Sequence, residues 1–282
     1  MKLCRYGKRG YEKPGLVDGE GRVRDLSKVI DNCGPKEISP RGLKMLSKLK
    51  PESLPLVNGN PRLGVPYIGI GKFVAIGLNY SDHAKEAGLP IPSEPIVFFK
   101  ATTCINGPND DVVQPKTSTK LDWEIELGIV IGTQARYVDE ASALEHVAGY
   151  CIINDVSERA FQMATTQWDK GKGFDTSGPI GPWLVSTDEI GDPQRLDMAL
   201  DVNGKRMQTG NTRTMVFSCA KIISHVSQYM TLLPGDIICT GTPPGVGLGI
   251  KPTPVFLKPG DVMTLKIAGL GEQKQKVVAY SA

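Results

Sequence analysis

Residues 120–132, KLDWEIELGIVIG, place the strongest constraint on how this chain can fold. The apolar side chains occupy alternate positions: Trp123, Ile125, Leu127, Ile129 and Ile131. Successive side chains of a strand point to opposite faces, so this alternation predicts a strand. The opposite face begins with acidic residues and ends with small or apolar ones: Asp122, Glu124, Glu126, Gly128 and Val130. Because like charges on one strand face repel, the carboxylates need a compensating partner.

Glu124 and Glu126 are two residues apart, which places their Cα atoms about 7 Å apart on one strand face. Two unpaired charges beside a core would cost several kcal/mol each, and a divalent cation would remove that cost. Ligands that are all oxygen favour Mg²⁺, Mn²⁺ or Ca²⁺ over zinc. An exposed edge strand, with its glutamates facing lysines, is the alternative that the spacing leaves open.

Asp155 follows the apolar run YCIIN, where a strand is predicted to end and a helix to begin. A third carboxylate here would complete a site that leaves coordination positions open for water or substrate. The alternative is that Asp155 caps the helix. If the helix starts directly after Asp155, Arg159 and Gln162 would lie on the same helix face as Asp155. An arginine and an amide beside a metal would suit a substrate carboxylate or an enolate oxygen. An ordinary polar helix face is the alternative.

Three further segments carry candidate site residues. His83 lies three residues before Glu86, so a helix would let the carboxylate orient a general-base imidazole; a solvated surface pair is the alternative. Lys170 and Lys172 lie in a glycine-rich loop, where a lysine can stabilise an oxyanion or remain solvated. The segment CTGTPPGVGLG, which contains Thr242, offers backbone N–H groups and hydroxyls to a carboxylate.

The overall pattern predicts an α+β fold that is mostly β. Abundant glycine (32) and proline (21) indicate many turns. Residues 1–68 are predicted to form a small N-terminal unit with a helix that begins after Ser39, and residues 69–282 a larger domain. We expect a hairpin with Asn203-Gly204 at its tip, and helices over residues 139–149, directly after Asp155, and over residues 216–230.

Composition argues against several functional classes. The net charge of +3 is too small and dispersed to indicate nucleic-acid binding. No apolar run approaches the roughly 20 residues that span a bilayer, and the first residues lack the apolar core of a secretion signal. The six cysteines are scattered, which predicts reduced thiols and a cytoplasmic location without a membrane partner.

Five segments, NYSDHAKE, DWEIELGIVIG, NDVSERAFQ, GKGFDTSGPIGP and GDIICTGTPPGVG, together resemble the fumarylacetoacetate hydrolase family over about residues 70–280. The resemblance implies a mixed β-roll catalytic domain, a smaller N-terminal domain and a homodimer. It implies Mg²⁺ or Mn²⁺, with Ca²⁺ as a substitute, held by the matching Glu124, Glu126 and Asp155. It also assigns catalysis and substrate binding to further matching residues: His83 and Glu86 on a lid, Lys172, Arg159, Gln162 and Thr242.

The same resemblance implies a small keto acid as substrate. Family members hydrolyse C–C bonds of acylpyruvates, decarboxylate oxaloacetate or isomerise unsaturated dicarboxylates, all through an enolate that the metal stabilises. The C-terminal loop TGTPPGVGLGIKPTPVFLKPGD resembles a subgroup often labelled ureidoglycolate lyase, which is also similar to hydrolases of diketo-deoxy sugar acids. We expect C–C hydrolysis of a 2,4-diketo acid. The alternatives are a lyase, decarboxylase or isomerase on the same site, and a binding module that the metal only stabilises.

Overall fold

Short strands form most of this protein. The computed structural model describes residues 1–88 and 90–281, apart from the side chains of His83, Ala84 and Ala87. The strands are β1 (Lys2–Tyr6), β2 (Lys13–Val17), β3 (Val23–Asp25), β4 (Leu63–Gly64), β5 (Phe73–Gly77), β6 (Ile96–Lys100), β7 (Ile105–Asn106), β8 (Val112–Gln114), β9 (Leu121–Asp122), β10 (Ile125–Ile131), β11 (Val147–Asn154), β12 (Ser157–Glu158), β13 (Gly178–Ser186), β14 (Asp197–Val202), β15 (Lys205–Asn211), β16 (Ile237–Cys239), β17 (Val262–Ile267) and β18 (Gly271–Ala279).

Helices are short and lie between the strands. The α-helices are α1 (Pro40–Leu46), α2 (Ser81–Ala87), α3 (Arg159–Gln162), α4 (Asp169–Lys172) and α5 (Cys219–Ser227). The 3₁₀ turns are Pro51–Ser53, Thr102–Cys104, Glu140–His146, Thr187–Glu189, Pro193–Arg195, Thr212–Thr214 and Gly247–Gly249. Within the described ranges, no helix is long and apolar enough to cross a membrane.

Three sheets organise the strands of the described residues. The largest has the order β3-β2-β1-β13-β11-β10-β16-β5-β6, with β4 paired to β1 and β7 to β13. A second sheet has the order β15-β14-β17-β18-β8, and β12 pairs with β9. The largest sheet is mixed, because β16 runs parallel to β5 and antiparallel to β10. The predicted fold class, α+β with mostly β and mixed sheets, is confirmed.

The acidic stretch forms the middle of the largest sheet. Strand β10 pairs with β11 and β16, and its seven residues are all buried. Its two faces pack into two different cores: Ile125, Leu127, Ile129 and Ile131 belong to one, and Val130 to the other. A side chain at Gly128 would begin 2.6 Å from Ile153 Cδ1, so glycine lets the neighbouring strand pack closely. The exposed-edge alternative for this stretch is therefore wrong.

The N-terminal region continues the largest sheet. Leu3 of β1 pairs with Leu184 of β13, and β2 and β3 extend the sheet beyond β1. Helix α1 begins as predicted, because the Ser39 side chain accepts a hydrogen bond from Gly42 N at 3.1 Å. The boundary at residue 68 stays a prediction, since the sheet runs through both parts of the chain.

Two predicted helices are wrong in extent. Residues 140–146 form a 3₁₀ turn, and β11 begins directly at Val147. After Asp155 the backbone first pairs with β9, with Ser157 opposite Asp122, and the helix begins only at Arg159. The Glu158 side chain caps that helix by accepting from Phe161 N at 2.7 Å, so Asp155 is not its cap. The hairpin with Asn203 and Gly204 at its tip and helix α5 are confirmed.

The cysteine thiols should be unreactive in the native protein. All six cysteines are buried, and burial raises the thiol pKa values, to about 12 for Cys33 and Cys219. Because the thiolate is the reactive form, we expect almost no reaction with a disulfide reagent at about pH 8 and six equivalents after denaturation. Titration with Ellman's reagent measures both values. A thiol that reacts within minutes in the folded protein would contradict this prediction.

Candidate active site

One cleft collects most of the polar residues that the sequence singles out. Its lining includes Glu124, Glu126, Asp155, Arg159, Gln162, Lys172 and Thr242. The cleft encloses a cavity of about 70 Å³, which is room for several waters or a small ligand. Lys170 is exposed on α4 and lies outside the lining. Residues that are far apart in sequence therefore meet here, as the metal-site prediction requires.

The three predicted metal ligands are all buried. Glu124 is 6% exposed, Glu126 2% and Asp155 0%. Glu124 directly precedes β10, Glu126 lies within β10, and Asp155 follows the last residue of the adjacent strand β11. A backbone bond from Asp155 N to Glu124 O, at 2.9 Å, holds these two positions together. Neighbouring strands thus deliver the carboxylates to one end of the sheet.

Lys172 lies between two of these carboxylates. Its ammonium is 2.7 Å from Glu124 Oε2 and 2.7 Å from Asp155 Oδ2. Burial opposes the charge, but Asp155 and Glu124 outweigh it and raise the pKa of Lys172. Flanking glycines permit this position, because a side chain at Gly171 would begin 2.3 Å from Gln162 N and one at Gly173 would begin 2.8 Å from Ala101 N.

Lys100 is a site residue that the sequence did not reveal. Its side chain is fully buried at the end of β6 and donates to Asp155 Oδ1 at 2.6 Å. It also donates to Ser177 Oγ at 3.2 Å and to the carbonyl of Lys172. The only signal was a lysine that closes the apolar run IVFFK. Both oxygens of Asp155 therefore contact lysine ammonium groups.

Arg159 and Gln162 form the other polar side of the cleft. Arg159 donates from Nε to Asp122 at 2.8 Å, from Nη2 to Glu124 at 2.7 Å and from Nη1 to Gln162 at 3.0 Å. Burial opposes the charge, but Asp122 and Glu124 raise the pKa of Arg159. The Gln162 oxygen accepts from Arg159, so its amide nitrogen is the end that can donate to a ligand. The two residues converge although Asp155 is not on their helix.

The buried charges around Glu126 fit a divalent cation. Oε2 of Glu126 accepts from Gly241 N at 2.6 Å, and burial together with Asp155 and Glu124 raises the pKa of Glu126. The network contains four buried carboxylates (Asp122, Glu124, Glu126 and Asp155) and three buried cations (Lys100, Arg159 and Lys172). With all seven side chains ionised, one negative charge is in excess, and this excess contributes to the raised pKa of Glu126. A divalent cation and a ligand carboxylate together would bring the sum to zero.

The glycine-rich loop after β16 binds carboxylates of the protein itself. Gly241 N donates to Glu126, and Gly245 N donates to the two Glu86 oxygens at 3.1 and 3.2 Å. Thr242 Oγ1 donates to Ile125 O at 2.9 Å and accepts from Gln208 Nε2 at 2.8 Å, so its proton is already used. The substrate-binding role of Thr242 stays a prediction.

Helix α2 carries the predicted histidine–glutamate pair. It follows Leu78, which lines the cleft, and Glu86 joins it to the glycine-rich loop. The side chain of His83 lies outside the described residues, so its role stays a prediction. Helix α2 begins three residues after Leu78 of the cleft lining, and its role as a lid stays a prediction.

Three apolar side chains, Trp168, Phe98 and Leu78, form what we call the apolar wall of the cleft. The rings of Phe98 and Trp168 meet edge to face with centroids 5.4 Å apart. Trp168 packs against Gly77, where a Cβ would be 2.6 Å from the indole ring. Leu78 has a φ of 51°, a backbone conformation that residues with side chains seldom adopt.

Known proteins resemble this chain in sequence and in structure. The family model for the fumarylacetoacetate (FAA) hydrolase C-terminal region matches residues 72–278. A Burkholderia ambifaria protein named "Putative hydrolase" is 59% identical over 276 residues, 98% of each chain. A fumarylacetoacetate hydrolase structure from Exiguobacterium antarcticum has a TM-score of 0.89 at 36% identity, covering 99% of this chain and 100% of that one. The Sphingobium sp. SYK-6 maleylpyruvate hydrolase, in complex with manganese(II) and pyruvate, has a TM-score of 0.83 at 29% identity and covers 100% of both chains.

Neutralising Glu126 should stabilise the metal-free protein. Glu126→Gln removes the excess buried charge and retains an acceptor for Gly241 N, so we expect a gain of about 1–2 kcal/mol, or several degrees in Tm. The matched control is Glu158→Gln, because Glu158 is equally buried but accepts from Thr119, Lys120 and Phe161 N–H groups. That control should lose stability. Thermal unfolding in EDTA measures both variants, and a loss in Glu126→Gln as large as in the control would contradict the charge-excess argument.

Proposed function

Because the chain belongs to the fumarylacetoacetate hydrolase family, we propose that it is a divalent-metal-dependent hydrolase of a small 2,4-diketo acid, such as an acylpyruvate or a diketo-deoxy sugar acid. One observation carries the proposal: three buried carboxylates line a cavity of about 70 Å³ together with Arg159 and Lys172. Carboxylate oxygens suit a divalent cation, and the two cationic side chains suit an anionic substrate.

The reaction consumes one water. Its oxygen bonds to the distal carbonyl carbon, and the bond between this carbon and the neighbouring CH₂ breaks. The electron pair stays on the CH₂ carbon, which takes up a proton. For an acylpyruvate the products are a carboxylic acid and pyruvate. A cation bound by Glu124, Glu126 and Asp155 would supply Lewis-acid polarisation of the 2-keto acid oxygens.

The cationic side of the cleft would position the substrate. A guanidinium has five N–H groups, and the three Arg159 bonds to described residues leave up to two for a substrate oxygen. Lys172 and the amide nitrogen of Gln162 are the donors available to the oxygen that gains charge during attack on the distal carbonyl. The apolar wall would pack against the substrate tail.

Helix α2 would supply the base. Its Glu86 is fixed by Gly245 N, and in our proposal it orients His83, which removes a proton from the attacking water. The Sphingobium protein, similar along its whole length, binds manganese(II) and pyruvate, which supports a keto-acid ligand for this site. Magnesium as the cation, a homodimeric state and a cytoplasmic location stay predictions.

A substrate panel tests the proposal. We would measure turnover of acylpyruvates, a diketo-deoxy sugar acid, oxaloacetate, an unsaturated dicarboxylate and ureidoglycolate with Mn²⁺ or Mg²⁺, then with EDTA. Metal-dependent release of pyruvate, or of the corresponding 2-keto acid fragment, from a diketo acid is the expected result. Turnover of ureidoglycolate alone would instead assign a lyase. Full activity in EDTA would remove the metal from the reaction.

His83→Ala should lower turnover strongly without loss of the metal or the fold. Loss of a general base typically lowers kcat by about 10²–10⁴-fold. The matched control is His225→Ala, because His225 lies on α5 and packs edge to face on Tyr229 at 5.0 Å, away from the cleft lining. Steady-state kinetics and metal content by mass spectrometry are the measurements. A His83→Ala enzyme with kcat near that of the control would remove His83 from the mechanism.

A further inference from the structure

Asp122 is a fully buried carboxylate that joins the cleft to the glycine-rich loop. Its Oδ1 accepts from Trp123 N at 2.8 Å and from Gly247 N at 2.7 Å. Its Oδ2 accepts from Leu248 N at 3.0 Å and from Arg159 Nε at 2.8 Å. These four donors use all the acceptor positions of the carboxylate. They link Arg159 in the cleft to the backbone of the glycine-rich loop.

The loop fits closely against Asp122. A Cβ at Gly247 would be 2.8 Å from Asp122 Oδ1 and 2.0 Å from Val255 O, so only glycine brings this backbone near the carboxylate. Trp123 adds a second attachment, because its Nε1 donates to Gly245 O at 3.0 Å. Residues 122 and 123 together therefore hold residues 245–248 in place.

The same loop holds helix α2 on its other side. Gly245 N donates to both oxygens of Glu86, and a Cβ at Gly249 would be 2.9 Å from the Glu86 carboxyl carbon. Hydrogen bonds at Asp122 and at Glu86, joined by the backbone of residues 245–248, therefore connect Arg159 to helix α2. The two ends of this connection are the proposed substrate-binding arginine and the helix with the proposed base.

We propose that Asp122 is a positioning residue that holds Arg159 and the glycine-rich loop in place, and through this loop also helix α2. It does not touch the substrate. The effect on substrate affinity rests on the proposed function, whereas the effect on loop and helix order rests on the hydrogen bonds alone. Loss of the carboxylate should therefore loosen α2 and weaken substrate binding together.

Asp122→Asn is the direct test, because the amide keeps the shape but replaces one acceptor oxygen with a donor. If the amide oxygen faces Trp123 N and Gly247 N, the NH₂ group faces the donors Leu248 N and Arg159 Nε. The matched control is Asp236→Asn. Asp236 is 1% exposed and accepts from Lys72 N at 2.8 Å, Leu233 N at 2.7 Å and Lys72 Nζ at 2.6 Å, yet it is absent from the cleft lining.

Hydrogen exchange gives a readout that needs no substrate. In Asp122→Asn, peptides covering residues 245–249 and 81–88 should exchange about tenfold faster than in the parent protein, and in Asp236→Asn they should not. Exchange at the parent rate in both peptides would overturn the proposal. So would a loop that loosens while the helix exchanges at the parent rate.

Kinetics give the second readout, on the diketo acid that the panel identifies. We expect Asp122→Asn to raise KM about tenfold or more, to lower kcat less than it raises KM, and to leave the Mn²⁺ Kd within about threefold, because the three metal-ligand carboxylates remain. An equal KM change in Asp236→Asn would show a general stability effect and overturn the proposal. If no keto acid is turned over, the proposed function fails, and exchange still decides the role of Asp122.

Leu248→Pro provides a second variant if Asp122→Asn does not fold. Proline removes one N–H donor to Asp122 and keeps the carboxylate bound to Arg159. We expect faster exchange in residues 81–88 and a smaller rise in KM than for Asp122→Asn. Unchanged exchange in that helix would overturn the proposal.

Discussion

The balance of buried charge is the constraint on which this structure depends. Four carboxylates and three cations lie at one end of the largest sheet, where an unpaired charge would cost several kcal/mol. Each cation therefore has a fixed position: Lys100 and Lys172 contact Asp155, and Arg159 contacts Asp122 and Glu124. Gly247 and Gly249 follow from the same need, since they let the loop after β16 approach the carboxylates of Asp122 and Glu86. Gly171 and Gly173 act differently, because they let the backbone beside Lys172 pack against Gln162 and Ala101.

Much of the candidate site could be predicted from sequence, because alternation within one strand is a local property. The pattern of residues 120–132 placed Glu124 and Glu126 on one face, and the end of an apolar run singled out Asp155. Lys100 could not be predicted, because its importance arises only when β6 lies beside Asp155 in the folded sheet. Asp122 shares the face of the two glutamates, but its partners come from a distant loop and helix.

Helices were predicted less well, for a related reason. Propensity favoured a helix directly after Asp155, but pairing of β12 with β9 takes those residues first. Arg159 and Gln162 still line the cleft, although they do not share a helix with Asp155 as the i, i+4 argument assumed. The glycine-rich loop was correctly expected to bind carboxylates. Sequence could not show that those carboxylates belong to Glu86, Asp122 and Glu126 of the same chain.

The apolar wall of the cleft consists of uncharged side chains from three separate segments. Phe98 comes from β6, Leu78 from the turn after β5, and Trp168 from the residue before α4. None of the three carries a charge, although the centroid of the Phe98 ring lies 5.4 Å from Lys172 Nζ and the ring so touches the charged network. In the proposed function, the substrate tail would contact the wall and the reacting end would contact the charged network, with Phe98 touching both. Under that proposal, substitutions at Leu78 and Trp168 would admit a different substrate tail while the charged residues stay unchanged, and in this way one ancestral site would give rise to enzymes with many substrates.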